Sequence, residues 1–328
     1  MNSSELLGFI QSLPKTETHL HLEGALPLEL LQRVRPEFVK PPASWAPDFK
    51  FRDFAHFEHE LLDMAFSWFT SPEHYHEAAK LIFARHVAQN VKYVETSFAS
   101  GVIEFGGLDG REVLAAIRAA VPAGLEVRVF LGIHHNGAGP KMMPVLEDAL
   151  GWKDLAGVDL HGTEDFPMEP WTAPYWEEAR RAGKYTKAHA GEFMGADFVR
   201  RILDELKPQR IEHGVRSVED PALVAELKRR GIALDMCPIS NHKLMPGVTM
   251  ATHPIRRLFD VDVKVTVSTD DPISFGNTLT DDYTALATQC GFTRLELVQI
   301  ARNGFEVALM PEAHKKPWLD QLDAIAGG

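Results

Sequence analysis

Two histidines one residue apart, His19 and His21, stand in the stretch Lys15-Thr16-Glu17-Thr18-His19-Leu20-His21-Leu22-Glu23-Gly24. In an extended strand side chains alternate faces, so both imidazoles point one way while Leu20 and Leu22 pack on the other side. Two imidazoles on one face can grip a single metal ion, and the rest of its shell must come from elsewhere. The candidates are His189, in His189-Ala190-Gly191-Glu192, and Asp270, in Ser268-Thr269-Asp270-Asp271-Pro272. Three neutral imidazoles and one carboxylate, with a position open to water, make the shell of a catalytic Zn2+ or similar borderline ion. One such ion per chain would lower the pKa of its water to about 7.

Other residues suit the chemistry around that ion. Glu192 follows His189 closely enough to shuttle a proton, provided burial lifts its pKa. His213 reads as a group that steadies the attacking oxygen without binding the metal. Asp270 and Asp271 are adjacent carboxylates that repel each other, a conflict that a cation at Asp270 removes. Asp271 is then left to share a hydrogen bond with substrate, the alternative being a helix-capping turn. Gly162 offers a backbone donor where a side chain would block a ligand. The run His134-His135-Asn136-Gly137-Ala138-Gly139 reads as a polar loop rather than a substrate contact. His56, His59, His74, His76, His86 and His253 read as surface or packing residues, and His59-Glu60 lacks the second histidine of a zincin helix.

The elements that must position these groups follow from the chain's patterning. At 328 residues, 45% hydrophobic and 24% charged, the composition is that of an ordinary globular protein with room for a large core. A net charge of −12 without a basic stripe disfavours nucleic acid and anionic membranes as partners, leaving a small-molecule substrate. The absence of a basic leader or of an apolar run near ~20 residues points to the cytoplasm, where Cys237 and Cys290 would stay reduced.

Strands are expected at 15–22, 91–98, 126–133, 155–160, 185–190, 210–213, 232–237 and 263–268. Helices are expected at 4–13, 28–34, 72–90, 110–121, 141–150, 172–182, 195–206, 220–230 and 254–260, with helices 279–290 and 293–309 closing the chain. The stretch 36–68 is irregular and aromatic, and is either a lid over the site or a packing excursion. Strict alternation of strand and helix argues a parallel sheet, and eight such units argue an α/β fold of the (β/α)8 TIM barrel type. The expectation is one domain over 1–328, with the lid insertion after the first strand and helices at the C-terminus. An open doubly wound sheet fits less well, because no Gly-x-Gly-x-x-Gly follows any strand. In such a barrel the C-terminal strand ends carry His19 and His21 (first), Gly162 (fourth), His189 and Glu192 (fifth), His213 (sixth) and Asp270 and Asp271 (eighth), which converge on one mouth.

The motifs Thr18-His19-Leu20-His21-Leu22-Glu23-Gly24, Gly157-Val158-Asp159-Leu160-His161-Gly162-Thr163-Glu164, His189-Ala190-Gly191-Glu192, Arg210-Ile211-Glu212-His213-Gly214, Cys237-Pro238-Ile239-Ser240-Asn241 and Ser268-Thr269-Asp270-Asp271-Pro272 occur in one order across nearly the whole chain. In this the chain resembles the adenosine deaminase family of the amidohydrolase superfamily. The resemblance implies a mononuclear zinc barrel that replaces the 6-amino group of an adenine ring with oxygen, releasing ammonia. It implies His19, His21, His189 and Asp270 as metal ligands and Glu192 as the acid toward the ring nitrogen beside the reacting carbon. His213 would steady the attacking oxygen, Asp271 would meet the imidazole side of the purine, and Gly162 would contact the ring.

Glu23 stands where adenosine deaminases usually carry Asp toward the sugar, while adenine deaminases often have Glu there. His161 is an unusual neighbour for Gly162, and 36–68 is unlike the familiar lid. The expected substrate is adenosine or a related nucleoside, with free adenine and 6-aminodeoxyfutalosine as alternatives. A dinuclear amidohydrolase would need a lysine at the end of the fourth strand, where this chain has none. A catalytically silent metal-binding barrel would be expected to have lost a ligand or the acid, and all are present.

Overall fold

The computed structural model describes residues 3–135, 137 and 141–327, so Asn136, Ala138 and Gly139 of the loop after the third strand lie outside the described residues. Eight strands form one parallel sheet in chain order: β1 (Lys15–Glu17), β2 (Val91–Ala99), β3 (Glu126–His134), β4 (Leu155–His161), β5 (Tyr185–Ala190), β6 (Arg210–His213), β7 (Ala233–Met236) and β8 (Val265–Val267). The sheet closes through an isolated parallel bridge between Leu20 and Asp270. There the His21 N–H donates to the Asp270 carbonyl at 3.1 Å, and the Asp270 N–H to the His19 carbonyl at 3.2 Å. With helices between successive strands, this is the expected (β/α)8 barrel.

Local chemistry starts and stops the helices. The Asp53, Ser71, Asp109, Asp220, Thr278 and Thr293 side chains each accept from an N–H of the first turn they cap. The helix Pro221–Arg230 opens on a proline and ends at Gly231, whose φ of 67° a side chain would resist.

The strands divide polar from apolar by face. Leu131, Ile133, Val158, Leu160, Ala188, Ile211, Leu234, Val265 and Val267 are buried in the main apolar core, the layer between barrel and helices. The alternate positions turn into the barrel, where β2, β5, β6 and β7 contribute charged side chains. Arg210 of β6 pairs with Glu95 of β2 and lies 3.4 Å from Asp235 of β7. Lys187 of β5 pairs with Glu212, lies 3.6 Å from Glu95, and donates to the Thr18 carbonyl at 3.1 Å. All five of these ionic side chains are at most 2% exposed.

Several elements differ from expectation, among them short helices at Ser100–Gly106, Pro238–Leu244 and Pro272–Phe275. β1 is shorter than expected: its ladder with β2 stops at Glu17 and resumes only as an isolated bridge between His21 and Ser97, while the Thr18 N–H between them meets Ser268 Oγ, just past β8, at 3.0 Å. The stretch 36–68 is not irregular throughout: it contains the 15-residue helix Phe54–Trp68, which buries Phe57, Met64, Ala65 and Trp68. That spacing is helical, but the prolines and aromatics before it obscured the period. The chain also continues past the helix Arg294–Val307 into a further helix, Glu312–Gly327, despite Pro317 within it. Among the described residues no helix is long and apolar enough to cross a membrane.

Removing one partner of a buried ion pair strands the other charge, at a cost of about 3–5 kcal/mol. Arg210→Met leaves Glu95 and Asp235 without their guanidinium and should lower unfolding stability by about that amount in urea titration. A change below ~1 kcal/mol would mean that the interior charges are not interdependent.

Candidate active site

The expected ligand atoms converge at the C-terminal mouth. His19 Nε2 and His21 Nε2 are 3.3 Å apart, and His21 Nε2 and His189 Nε2 are 3.2 Å apart. Asp270 Oδ1 lies 3.3 Å from Nε2 of both His19 and His21. Atoms held about 2.0–2.1 Å from a tetrahedral zinc ion stand about 3.3–3.4 Å from one another, so this spacing suits such an ion. Each imidazole is turned by a partner on its other nitrogen. His21 Nδ1 meets Ser97 Oγ at 2.9 Å, and His19 Nδ1 lies 3.3 Å from the Asp235 carbonyl. His189 Nδ1 faces the Leu160 carbonyl at 2.9 Å and Glu212 Oε2 at 3.0 Å. Such contacts fix the tautomer that leaves Nε2 free for a metal. Asp270 is held by the Ser240 hydroxyl, which donates to Oδ2 at 2.6 Å.

The electrostatics are those of a cation site. Burial lowers the His189 pKa, but the Asp159 and Glu212 carboxylates outweigh it and hold the imidazole well above its ordinary value. The balance at His19 is similar: burial opposes Glu212 and Asp270, and the net shift is upward. Asp159 moves the other way from a usual carboxylate, raised by burial and by Glu212. Asp159 Oδ2 has no hydrogen-bond partner, and a proton on it shared with Glu212 would give it one. A metal ion that binds these imidazoles must displace protons from them.

Glu192, His213 and Asp271 border the same cavity, which also touches His21, His189 and Asp270 and measures about 70 Å³. Glu192 is held by its backbone: the Glu164 carboxylate accepts from the N–H groups of Glu192, Phe193 and Met194 at 3.0, 3.0 and 2.6 Å. Burial first, then the Asp270 and Glu164 carboxylates, push its carboxyl well above the usual range. His213 Nε2 lies 3.5 Å from Glu192 Oε2 and 3.9 Å from Asp270 Oδ2. Asp271 is likewise raised by burial and by Asp270, and its Oδ1 has no partner. Gly24 makes room for it, since a Cβ there would fall 1.6 Å from that oxygen. Gly162, at φ +86°, also lines the cavity, and a Cβ on it would meet His134 Nδ1 at 2.6 Å.

At four residues the structure adds what the sequence left open or, for His134, corrects it. Glu23 reaches the cavity, yet its Oε1 is already engaged, accepting from the Tyr75 hydroxyl at 2.7 Å and the Ala99 N–H at 3.0 Å. His134 ends β3 and lines the cavity, so it is not merely part of a polar loop. His161 lines the cavity beside it, its ring 5.3 Å from that of His21. His253 takes the packing alternative of its surface-or-packing reading, and its bond to Asn241 also connects it to the site. Sequence reasoning also missed Ser97, Glu164, Glu212, Ser240 and Asn241 as supports. Four of these five lay inside the quoted motifs, and only the fold shows what each one touches.

A metal-suited cluster beside a buried acid, at the mouth of a (β/α)8 barrel, is an arrangement suited to hydrolysis. The sequence profile of the adenosine deaminase family matches residues 14–325, and the chain belongs to that family. It is 30% identical to an adenine deaminase of Chlorobium luteolum and 32% identical to one of Sphingopyxis alaskensis, each match covering 98% of this chain and 97% of the relative. The crystal structure of an adenine deaminase from Arthrobacter aurescens shares the fold at a TM-score of 0.86 and 23% identity, covering 97% of this chain and all of that one. The protein is a hydrolytic deaminase of purine amino groups.

Ser97→Ala frees His21 Nδ1 and should weaken metal binding by about 10–100-fold, read by competition with a chromogenic chelator. In both proteins affinity should fall with pH, because His19 and His189 regain the protons that the metal displaces. Equal affinities would show that Ser97 does not orient the ligand.

Proposed function

We propose that the chain converts adenine and water into the 6-oxopurine and ammonia, with one zinc ion held by His19, His21, His189 and Asp270. Bound there, zinc would supply Lewis acidity and a water of pKa about 7. The protein's own groups do the rest. Glu192, kept protonated by burial, gives its proton to the ring nitrogen beside C6 and makes that carbon more electrophilic. His213 and Asp270 hold the attacking oxygen between them. Water's oxygen bonds to C6; one of its protons passes to the amino nitrogen, which leaves as ammonia when the C6–N bond breaks, and the other restores the acid form of Glu192. Asp271 meets the imidazole side of the ring, and the Gly162 backbone meets the pyrimidine side.

The wall of the cavity built by the helix Phe54–Trp68 carries the choice of adenine over a nucleoside. Phe54, Phe57, Leu61, Leu62 and Ala65 line it, with Glu58 as the one polar side chain that this helix contributes. Burying sugar hydroxyls without partners costs about 1–3 kcal/mol each. The Glu23 oxygen already taken by Tyr75 and Ala99 is not free to receive one. The sequence put a nucleoside ahead of the free base; this wall and the names of the curated relatives favour the reverse order. We read the same helix as the lid.

A comparison of adenine, adenosine and 5′-substituted adenosines, followed by ammonia release, should give kcat/KM for adenine at least ~100-fold above any nucleoside. A nucleoside that matches adenine would overturn the substrate assignment. Glu192→Gln should lower kcat by about 10²–10⁴-fold while leaving bound metal unchanged. The acid works only when protonated, so wild-type kcat should fall as pH rises through its elevated pKa, and that alkaline limb should be absent from the residual activity of the variant.

A further inference from the structure

A buried chain of hydrogen bonds runs from the backbone into the site. Its first donor is the Ile255 N–H, which meets His253 Nδ1 at 3.1 Å. A backbone N–H can only donate, so His253 Nδ1 accepts and its proton must sit on Nε2. His253 stays neutral, since burial pushes its imidazole down to about 3. Its Nε2–H therefore donates to Asn241 Oδ1, 3.3 Å away. This orients the Asn241 amide and turns its NH2 group toward the site. The two hydrogens of that group go to Glu192 Oε1 at 3.0 Å and His213 Nδ1 at 3.1 Å. Asn241 is fully buried and His253 is 2% exposed, so water does not compete for these bonds.

Each link leaves the next group one choice. His213 Nδ1 accepts, so a neutral His213 carries its proton on Nε2, the nitrogen 3.5 Å from Glu192 Oε2. Glu192 Oε1 also accepts, so the proton of its acid form belongs on Oε2. Both donors then point into the cavity. We infer that Asn241 and His253 are positioning residues that set the Nε2–H tautomer of His213 and the proton-bearing oxygen of Glu192. His213 thereby acts toward an oxygen in the site as a hydrogen-bond donor and not as a base. Its importance for turnover rests on the function proposed above, whereas the tautomer does not.

Asn241→Asp tests this with a side chain of nearly the same shape. A carboxylate still accepts from His253, but it donates nothing. His213 must then place its proton on Nδ1 to meet it, and the Glu192 proton is drawn to Oε1, away from the cavity. On zinc-loaded protein labelled with 15N-histidine, NMR should show His213 as the Nε2–H tautomer in the wild type and as Nδ1–H in Asn241→Asp. The turnover of adenine should drop by about 100-fold in kcat with KM nearly unchanged. His253→Phe, which removes the anchoring donor, should show both tautomers of His213 and an intermediate kcat; it also serves if the aspartate variant does not fold. An Nδ1–H tautomer in the wild type, or one unmoved in both variants, overturns the inference. Absence of turnover on every 6-aminopurine would instead sink the proposed function, and the NMR result would still decide the tautomer.

Discussion

The closure of the barrel at Leu20 and Asp270 is the constraint on which the rest depends. Seven of the eight strand contacts are ladders, while the eighth is this single bridge with two backbone hydrogen bonds. The residues that make it, His19, Leu20, His21 and Asp270, include three of the four expected metal ligands. Closing the cylinder and assembling the site are therefore one event. Side chains supplement the seam below it: the Thr18 hydroxyl lies 3.1 Å from Asp235 Oδ1 and 2.8 Å from Thr266 Oγ1. Asp270 itself sits at φ +68°, a left-handed conformation that costs a non-glycine residue energy and is held by these bonds on either side.

The charged interior serves the same end. A barrel of this class usually fills its centre with branched apolar residues. Here Glu212 faces His189 Nδ1 and pairs with Lys187, which also reaches the Thr18 carbonyl next to His19. The lysine and arginine balance the carboxylates that orient the imidazoles. A histidine of the proposed metal shell is thus backed by a carboxylate, and that carboxylate by a cation of the layer below. Such an interior holds directions as well as volume, because a hydrogen bond prescribes where a ring nitrogen faces and an apolar contact does not.

Much of this was legible in the residues, for identifiable reasons. The strands showed as short apolar runs between turn signals, and β5 and β6 begin and end where the patterning puts them. The candidate site residues stood out because metal chemistry calls for histidine and aspartate at strand ends. Other features were hidden because they depend on contacts between distant segments. Nothing in the neighbours of Glu23 reveals that Tyr75 and Ala99 engage it. His253 looked like a packing residue because its meaning lies in Asn241, 12 positions earlier. The helix Phe54–Trp68 was lost among prolines, although its apolar spacing was regular.

The seam also has a temporal side. Thr18 and its partner Ser268 are 250 residues apart in sequence. A chain emerging from the ribosome exposes His19 and His21 long before Asp270 has been made, and contacts of such separation form late. His189 follows more than halfway along the chain, and Asp270 joins only when the eighth strand docks. The carboxylate that completes the cluster and the backbone bonds that complete the barrel are therefore the last to arrive.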